Sequence, residues 1–269
     1  MPSPLFITGT GRSGTTLLHR LLADHPRLAL TNEAGVADLV HFVHELAAAP
    51  AWQPFEWWRA APMVVPGFVR PVYRDALMPV LRRHLAGLLE EFHAELFEGR
   101  DIAYWGDKLP LPQTVLALQD VWPDLRQVVI VRDPRDVFCS TRSYAAKERV
   151  VAENPSFTNV DVDSVAHTWT NCYHALLTYG RDVHLLRYED LVAAPEARAA
   201  DVLDWLGLEP HAGLRDPGEL PDHVTAGSPA RSVGRWRAEL TPDEIAGLES
   251  VCGAWMDRFG YARAAATDR

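Results

Sequence analysis

The residues best suited to chemistry lie near the start of the chain, in Gly9-Thr10-Gly11-Arg12-Ser13-Gly14-Thr15-Thr16. A short apolar run, Leu5-Phe6-Ile7-Thr8, precedes this loop, and Leu17, Leu18, Leu21 and Leu22 follow it at helical spacing. Strand, glycine loop and helix in that order make a cup for an anion. The loop's backbone N–H groups converge, the helix beginning near Gly14 adds its positive end, and the hydroxyls of Ser13, Thr15 and Thr16 supply further donors. Thr15 stands where a triphosphate-binding P-loop carries lysine, so Arg12 is the one cation of the loop. That substitution removes the point charge suited to β- and γ-phosphates. Asp133, after Val128-Val129-Ile130-Val131-Arg132, is a weak counterpart of a metal-holding strand-end aspartate. The plain alternative for the glycines is an ordinary tight turn.

Such a loop needs a frame, and the rest of the chain supplies one. Further strand candidates are Leu28 to Thr31, which delivers Asn32-Glu33 at its end, then Ile102 to Trp105, Gln127 to Val131 and Val183 to Leu186. The last three are each trailed by a helix-like segment. Alternating short strands and amphipathic helices predict an α/β, P-loop-type, three-layer fold, a central mostly parallel sheet flanked by helices. Val36 to about Ala49 reads as helix, and Pro50 to Pro71 as an irregular insertion rich in aromatics and proline. Val72 to about Phe97 reads as a long amphipathic helix with Pro79 as a possible kink point. Thr241-Pro242-Asp243-Glu244 predicts a capped helix start and Gly260 a stop; the Ala-rich tail after Tyr261 is expected to fray.

Composition narrows the function classes. A formal net charge of −10 and 48% hydrophobic residues describe an acidic globular chain, read as one domain over residues 1–269. No surplus of Lys and Arg exists to hold nucleic acid or an anionic membrane, so any bound anion needs a local site. Cys139, Cys172 and Cys252 show no CxxC spacing and are expected as reduced, buried thiols. The apolar run at the N-terminus is too short for a signal core or a membrane span, and a cytoplasmic location is expected.

Arg12-Ser13-Gly14-Thr15-Thr16-Leu17-Leu18 followed by His25-Pro26 resembles the 5′-phosphosulfate loop of sulfotransferases that use 3′-phosphoadenosine-5′-phosphosulfate (PAPS). The similarity is greatest to the branch holding tyrosylprotein sulfotransferases and many bacterial relatives. Val131-Arg132-Asp133-Pro134-Arg135-Asp136-Val137-Phe138-Cys139-Ser140 resembles the family's 3′-phosphate element, with Arg132 and Ser140 in the ligand positions. Tyr188-Glu189-Asp190-Leu191 and Ser232-Val233-Gly234-Arg235-Trp236 resemble the segments that contact and cover the nucleotide. The resemblance implies PAPS as cofactor, with adenosine 3′,5′-bisphosphate as product, and Tyr188, Ser228, Arg231 and Ser232 as nucleotide contacts. A guanidinium at a strand end plus a hydroxyl on the next helix turn suits a dianion. The plain alternatives are a salt bridge from Arg132 to Asp133 or Asp136, and a Ser140 hydroxyl bonded to its own helix. Arg135 reads as structural.

The resemblance also implies Glu33 as general base, and Lys108, in Gly106-Asp107-Lys108-Leu109-Pro110, as the cation facing the transferred group together with Arg12. His19, His41 and His44 are the rival bases, since other branches use histidine; Glu33 as a charge at a helix N-terminus and Lys108 as a surface lysine are the bland readings. No metal site is expected, because the histidines form no ligand cluster. The implied acceptor is a hydroxylated small molecule, with peptide tyrosine or glycan as options, and the stretch of about 50–100 is expected beside its pocket. Competing functions are a P-loop kinase acting on a hydroxylated metabolite, or a non-catalytic nucleotide-binding protein.

Overall fold

The computed structural model describes residues 2–39, 41–42, 51–52, 65–66, 71–110, 112–119, 121–147, 160–211, 225 and 228–264. The strands are β1 (Ser3–Gly9), β2 (Leu28–Asn32), β3 (Ala51–Trp52), β4 (Val65–Pro66), β5 (Tyr104–Lys108), β6 (Arg126–Val131) and β7 (Asp182–Arg187). The helices are α1 (Thr15–Ala23), α2 (Pro71–Leu96), α3 (Pro112–Leu118), α4 (Pro134–Ala145), α5 (Val162–Tyr179), α6 (Tyr188–Ala193), α7 (Pro195–Leu206), α8 (Trp236–Glu239) and α9 (Pro242–Arg258). The central sheet has five strands in the order β2-β5-β1-β6-β7, all parallel. The predicted α/β architecture is therefore present, and none of the five strands is antiparallel.

Side-chain alternation explains the layering. Leu5 and Ile7 of β1 face α1, through Leu17, Leu18, Leu21 and Leu22, and α7, through Val202 and Leu203. Phe6 points the other way, onto Leu85 and Leu89 of α2. In β6 the same division sends Val128 and Ile130 to the first layer, and Val129 and Val131 to α4, α5 and α9. Both faces are covered, which is why these strands read as unbroken apolar runs. Among the described residues no helix is long and apolar enough to cross a membrane. All three cysteines are buried free thiols, and burial pushes those of Cys139 and Cys252 up to about 12 and about 11.

Two expectations need correction. The third strand, whose apolar run spans Ile102 to Trp105 and which is expected to end at Lys108, does end there but begins only at Tyr104 and includes Gly106-Asp107-Lys108. These residues look like a polar turn, yet Asp107 and Lys108 are buried. Gly106 permits it: a Cβ there would lie 1.7 Å from the carbonyl oxygen of Leu5 on β1. The second concerns the irregular insertion, within which β3 and β4 pair antiparallel; its remaining residues lie outside the described ones. Residues 36–39 and 41–42 are helical, and 43–49 of that expected helix, with His44, lie outside as well. Helix α2 runs through Pro79 and is tied to β5 by buried His93, whose Nε2 lies 3.0 Å from Gly106 O.

The order of strands fixes where a site can form. Ile7 and Asn32 both pair with Lys108, and Val131 pairs with Arg187, so the C-terminal ends of all five strands finish along one edge. In doubly wound parallel sheets that edge is where ligands are held.

Candidate active site

The loop after β1 is closed by its own atoms. Ser13 donates to Thr10 O from its backbone N–H at 3.2 Å and from its hydroxyl at 2.7 Å. Arg12 takes a left-handed φ of 67°, a conformation costing a non-glycine residue on the order of 1–2 kcal/mol. Gly14, at φ 103°, begins α1 with no side-chain cap, and the first turn contains no acidic residue. The helix therefore presents uncapped N–H groups and its positive end to whatever the loop holds. Thr15 is buried and Thr16 half-buried in this turn. The Tyr188 ring lies on the loop, so that a Cβ at Gly14 would sit 2.3 Å from its Cδ2.

Arg132, at the end of β6, joins loop to covering segment. It is 3% exposed and donates to Arg12 O at 3.0 Å and to Ser232 O at 2.7 Å. Its guanidinium stacks 4.4 Å over the Tyr188 ring, whose hydroxyl lies 2.8 Å from Ser232 Oγ. Its Nε is buried with no hydrogen-bond partner among the described residues. The plain alternative, a salt bridge from Arg132 to Asp133 or Asp136, is not formed. Asp133 caps α4 and pairs with Arg135 at 2.7 Å, and Asp136 accepts from Gly234 N and Trp236 N at 2.6 and 3.0 Å. Burial raises Asp136 to about 6. Arg135, fully enclosed by Asp133, Glu249 and Ala262 O, is structural as expected.

Ser140 also departs from its bland alternative. Its neighbours Thr141 and Ser143 bond back to Val137 O and Cys139 O, whereas Ser140 Oγ receives Arg12 Nε at 3.3 Å and meets Thr225 Oγ1 at 3.2 Å. Burial lowers the pKa of Arg12, with the ring of Tyr144 4.3 Å away. Two aromatics of α5 brace the arrangement from behind: Trp169 Nε1 donates to Arg132 O, and Tyr173 OH donates to Ile130 O and lies 3.3 Å from Thr10 Oγ1. Ser228 Oγ accepts from the N–H of Arg231, whose side chain is exposed.

On the other side of the loop, Lys108 Nζ and the Glu33 carboxylate form a direct ion pair. Lys108 is 2% exposed and Glu33 53% exposed, so a buried cation meets a reachable carboxylate. The field of Glu33 also acts on Arg12. Glu33 has a left-handed φ of 54°, and its N–H donates to Asp107 Oδ1 at 2.8 Å and to Lys108 O at 3.1 Å. Of the rival bases, His19 places Nε2 3.3 Å from Leu30 O and burial lowers its pKa; His41 is half-buried.

Sequence reasoning missed Asp107, Asp136 as the anchor of the covering segment, and Thr225. Only Asp136 left a signal, as an acidic residue inside a basic motif. It also missed a cavity of about 300 Å³ beside Gly11 and Arg12, lined by Val137 and Thr141 of α4 and Val165, Thr168 and Trp169 of α5.

Comparisons with known proteins point one way. A model described as the sulfotransferase family matches residues 4–212. The omega-hydroxy-beta-dihydromenaquinone-9 sulfotransferase Stf3 of Mycobacterium tuberculosis is 30% identical over 161 residues, 55% of this chain and 39% of that protein. Carbohydrate sulfotransferase 4 of Mus musculus is 26% identical over 185 residues, 54% of this chain and 46% of that protein. The matches thus span less than half the length of these curated relatives. In fold, the chain is similar to the sulfotransferase domain from the curacin biosynthetic pathway, with TM-score 0.61 and 17% identity over 98% of this chain and 99% of that one.

Proposed function

The chain belongs to the sulfotransferase family, and from that premise we propose that it transfers a sulfuryl group from PAPS to an acceptor hydroxyl by in-line displacement. When bound, PAPS supplies a sulfuryl group on a leaving nucleotide. We assign its 5′ end to the Gly9–Thr16 loop and the uncapped start of α1, and its 3′-phosphate to Arg132 and Ser140. The observation that carries this reading is Arg132: a buried cation hydrogen-bonded to two carbonyl oxygens with Nε left over. A buried guanidinium in that state is matched by an anion. The chemistry of the set fits a nucleotide with phosphates at both ends, because hydroxyls and backbone N–H groups lie at α1 and a guanidinium with a hydroxyl at α4.

Glu33 takes the acceptor proton on its carboxylate, which is exposed enough to be reached. Lys108 and Arg12 set positive charge where negative charge develops, one buried beside Glu33 and one in the loop. The direct Glu33–Lys108 pair gives Lys108 two roles, orienting the carboxylate before reaction and facing the sulfuryl group during it. Tyr188, with Ser228, Arg231 and Ser232, covers the nucleotide, and Asp136 holds that cover by two backbone N–H groups. The names of the two curated relatives join sulfuryl transfer to an omega-hydroxy quinone derivative and to carbohydrate; we carry over only the hydroxyl. We take the acceptor to be a hydroxylated small molecule that reaches the exposed Glu33 carboxylate; the cavity beside Arg12 lies on the α4–α5 side of the loop and carries no acceptor assignment. We read the chain as a single catalytic domain.

Calorimetric titration with adenosine 3′,5′-bisphosphate tests the reading. Binding is expected to depend on the 3′-phosphate and to weaken by about 10- to 100-fold in Arg132→Ala, the loss of one charged hydrogen-bonding group at roughly 1.5–3 kcal/mol. Preference for ATP with magnesium would instead favour the kinase. Given binding, labelled PAPS with a phenol, an alkyl alcohol, a neutral sugar and a tyrosine peptide identifies the acceptor class.

A further inference from the structure

We propose that Asp107 is a positioning residue for the reaction, holding Glu33 in the backbone conformation that brings its carboxylate to Lys108; this rests on the reading of Glu33 as base. Asp107 is 2% exposed and lies one residue before Lys108 on β5, opposite Thr31 of β2. Its two oxygens do separate work. Oδ1 accepts the N–H of Glu33 at 2.8 Å and Oδ2 accepts the N–H of Ala34 at 3.1 Å. A carboxylate spanning consecutive amides just past a strand end fixes how the chain leaves β2. Here the chain leaves in a left-handed turn at Glu33, a conformation that a glutamate does not choose by itself.

The geometry of the strands makes the arrangement specific. Asn32 pairs with Lys108, and the N–H of Glu33 also reaches Lys108 O at 3.1 Å, so backbone and side chain of Glu33 are referred to the same two residues of β5. Asp107 sets the turn and Lys108 receives the side chain that the turn delivers. Successive residues on a strand point to opposite faces, so Asp107 can brace the turn without occupying the space in which Lys108 and Glu33 meet. Below it, Gly106 O is held by His93 Nε2 of α2 at 3.0 Å and by Thr31 Oγ1 at 3.1 Å, which fixes the strand on which both residues sit. Asparagine at 107 keeps one acceptor and turns an NH2 group toward the other amide, so that one of the two N–H bonds cannot form.

The test is a double-mutant cycle of Asp107→Asn and Glu33→Gln, with turnover measured on the acceptor that responds best in the labelled-PAPS panel. A misplaced base costs on the order of 100-fold in kcat. Asp107→Asn is expected to lose about that much while the affinity for adenosine 3′,5′-bisphosphate stays unchanged. In the Glu33→Gln background the same substitution is expected to cost nothing more, because it acts through Glu33. Hydrogen exchange in the presence of the bisphosphate is expected to quicken at the amides of Glu33 and Ala34 and not at Ile7 or Leu109. If Glu33→Gln loses turnover but Asp107→Asn keeps it, the positioning role is wrong and the base assignment survives. Unchanged turnover in Glu33→Gln itself removes the base assignment and the proposal with it. Equal losses from Asp107→Asn in both backgrounds, or a parallel fall in nucleotide affinity, would make Asp107 a structural residue of the sheet edge and overturn the proposal.

Discussion

At the scale of single residues, the site depends on how closely backbone and rings approach. Gly14 and Gly11 sit in the same loop with opposite demands. A Cβ at Gly14 would strike the Tyr188 ring and must also adopt φ 103°, whereas a Cβ at Gly11 meets nothing within 4 Å. Gly14→Ala is expected to destabilise the fold by about 1–3 kcal/mol through overpacking and backbone strain, and to weaken nucleotide binding. Gly11→Ala should leave the urea midpoint within experimental error of the parent. Unfolding curves and bisphosphate titrations on the pair separate a loop shaped around Tyr188 from one that merely needs flexibility. Both glycines belong to a motif readable from spacing alone. The contact that distinguishes them comes from a tyrosine 174 positions further on, and no local pattern reveals it.

At the scale of elements, the C-terminal helix shows how much a sequence can say. The Thr241 hydroxyl accepts from Glu244 N at 3.2 Å, and the Glu244 carboxylate accepts from Thr241 N at 2.8 Å, the reciprocal cap implied by the residue order. Thr241→Ala is expected to cost about 1 kcal/mol, visible as a lowered thermal midpoint with sulfuryl transfer unchanged. Helix α9 was legible because its start signal and its apolar face, Leu248, Cys252 and Met256, are local. The last three residues of β5 carry no apolar pattern, since Gly106-Asp107-Lys108 has no apolar residue and yet Asp107 and Lys108 are buried, so only the end at Lys108 was legible and not the burial before it. Functional strand ends break the hydrophobic pattern by which strands are recognised. Arg12, Arg132 and Ser140 were found through resemblance, and their mutual contacts came only from the fold. Asp107 escaped because a carboxylate bonded to backbone N–H groups across 74 residues has no sequence signature.

At the scale of the whole molecule, an acidic chain of net charge −10 gathers the cations Arg12, Lys108 and Arg132 at one edge of its sheet, with Glu33 paired to Lys108. Its response to pH follows from burial. Desolvation lowers the pKa of His19, His25, His93 and His184. The unfolded chain then takes up protons first, so these groups cost nothing above about pH 6.5 and destabilise the native state progressively below it. Asp107 and Asp136 are shifted upward by burial and act in the opposite sense, favouring the native state as they protonate. His93→Gln, which keeps a donor for Gly106 O, is expected to raise the thermal midpoint at pH 5.5 relative to that at pH 7 when compared with the parent; an unchanged difference would mean that His93 does not contribute. The strand order carries a consequence of another kind. β1 and β2 never touch, because β5 lies between them. A ribosome adding about 5–20 residues per second needs roughly 4–15 s to deliver the 75 residues that separate Glu33 from Lys108. Throughout that interval Leu5, Phe6 and Ile7 have no neighbouring strand on that side. The strand insertion that brings Glu33 and Lys108 together at the end also exposes the nascent chain to aggregation at the beginning, and lowering the synthesis temperature or supplying a chaperone addresses that stage and not the finished fold.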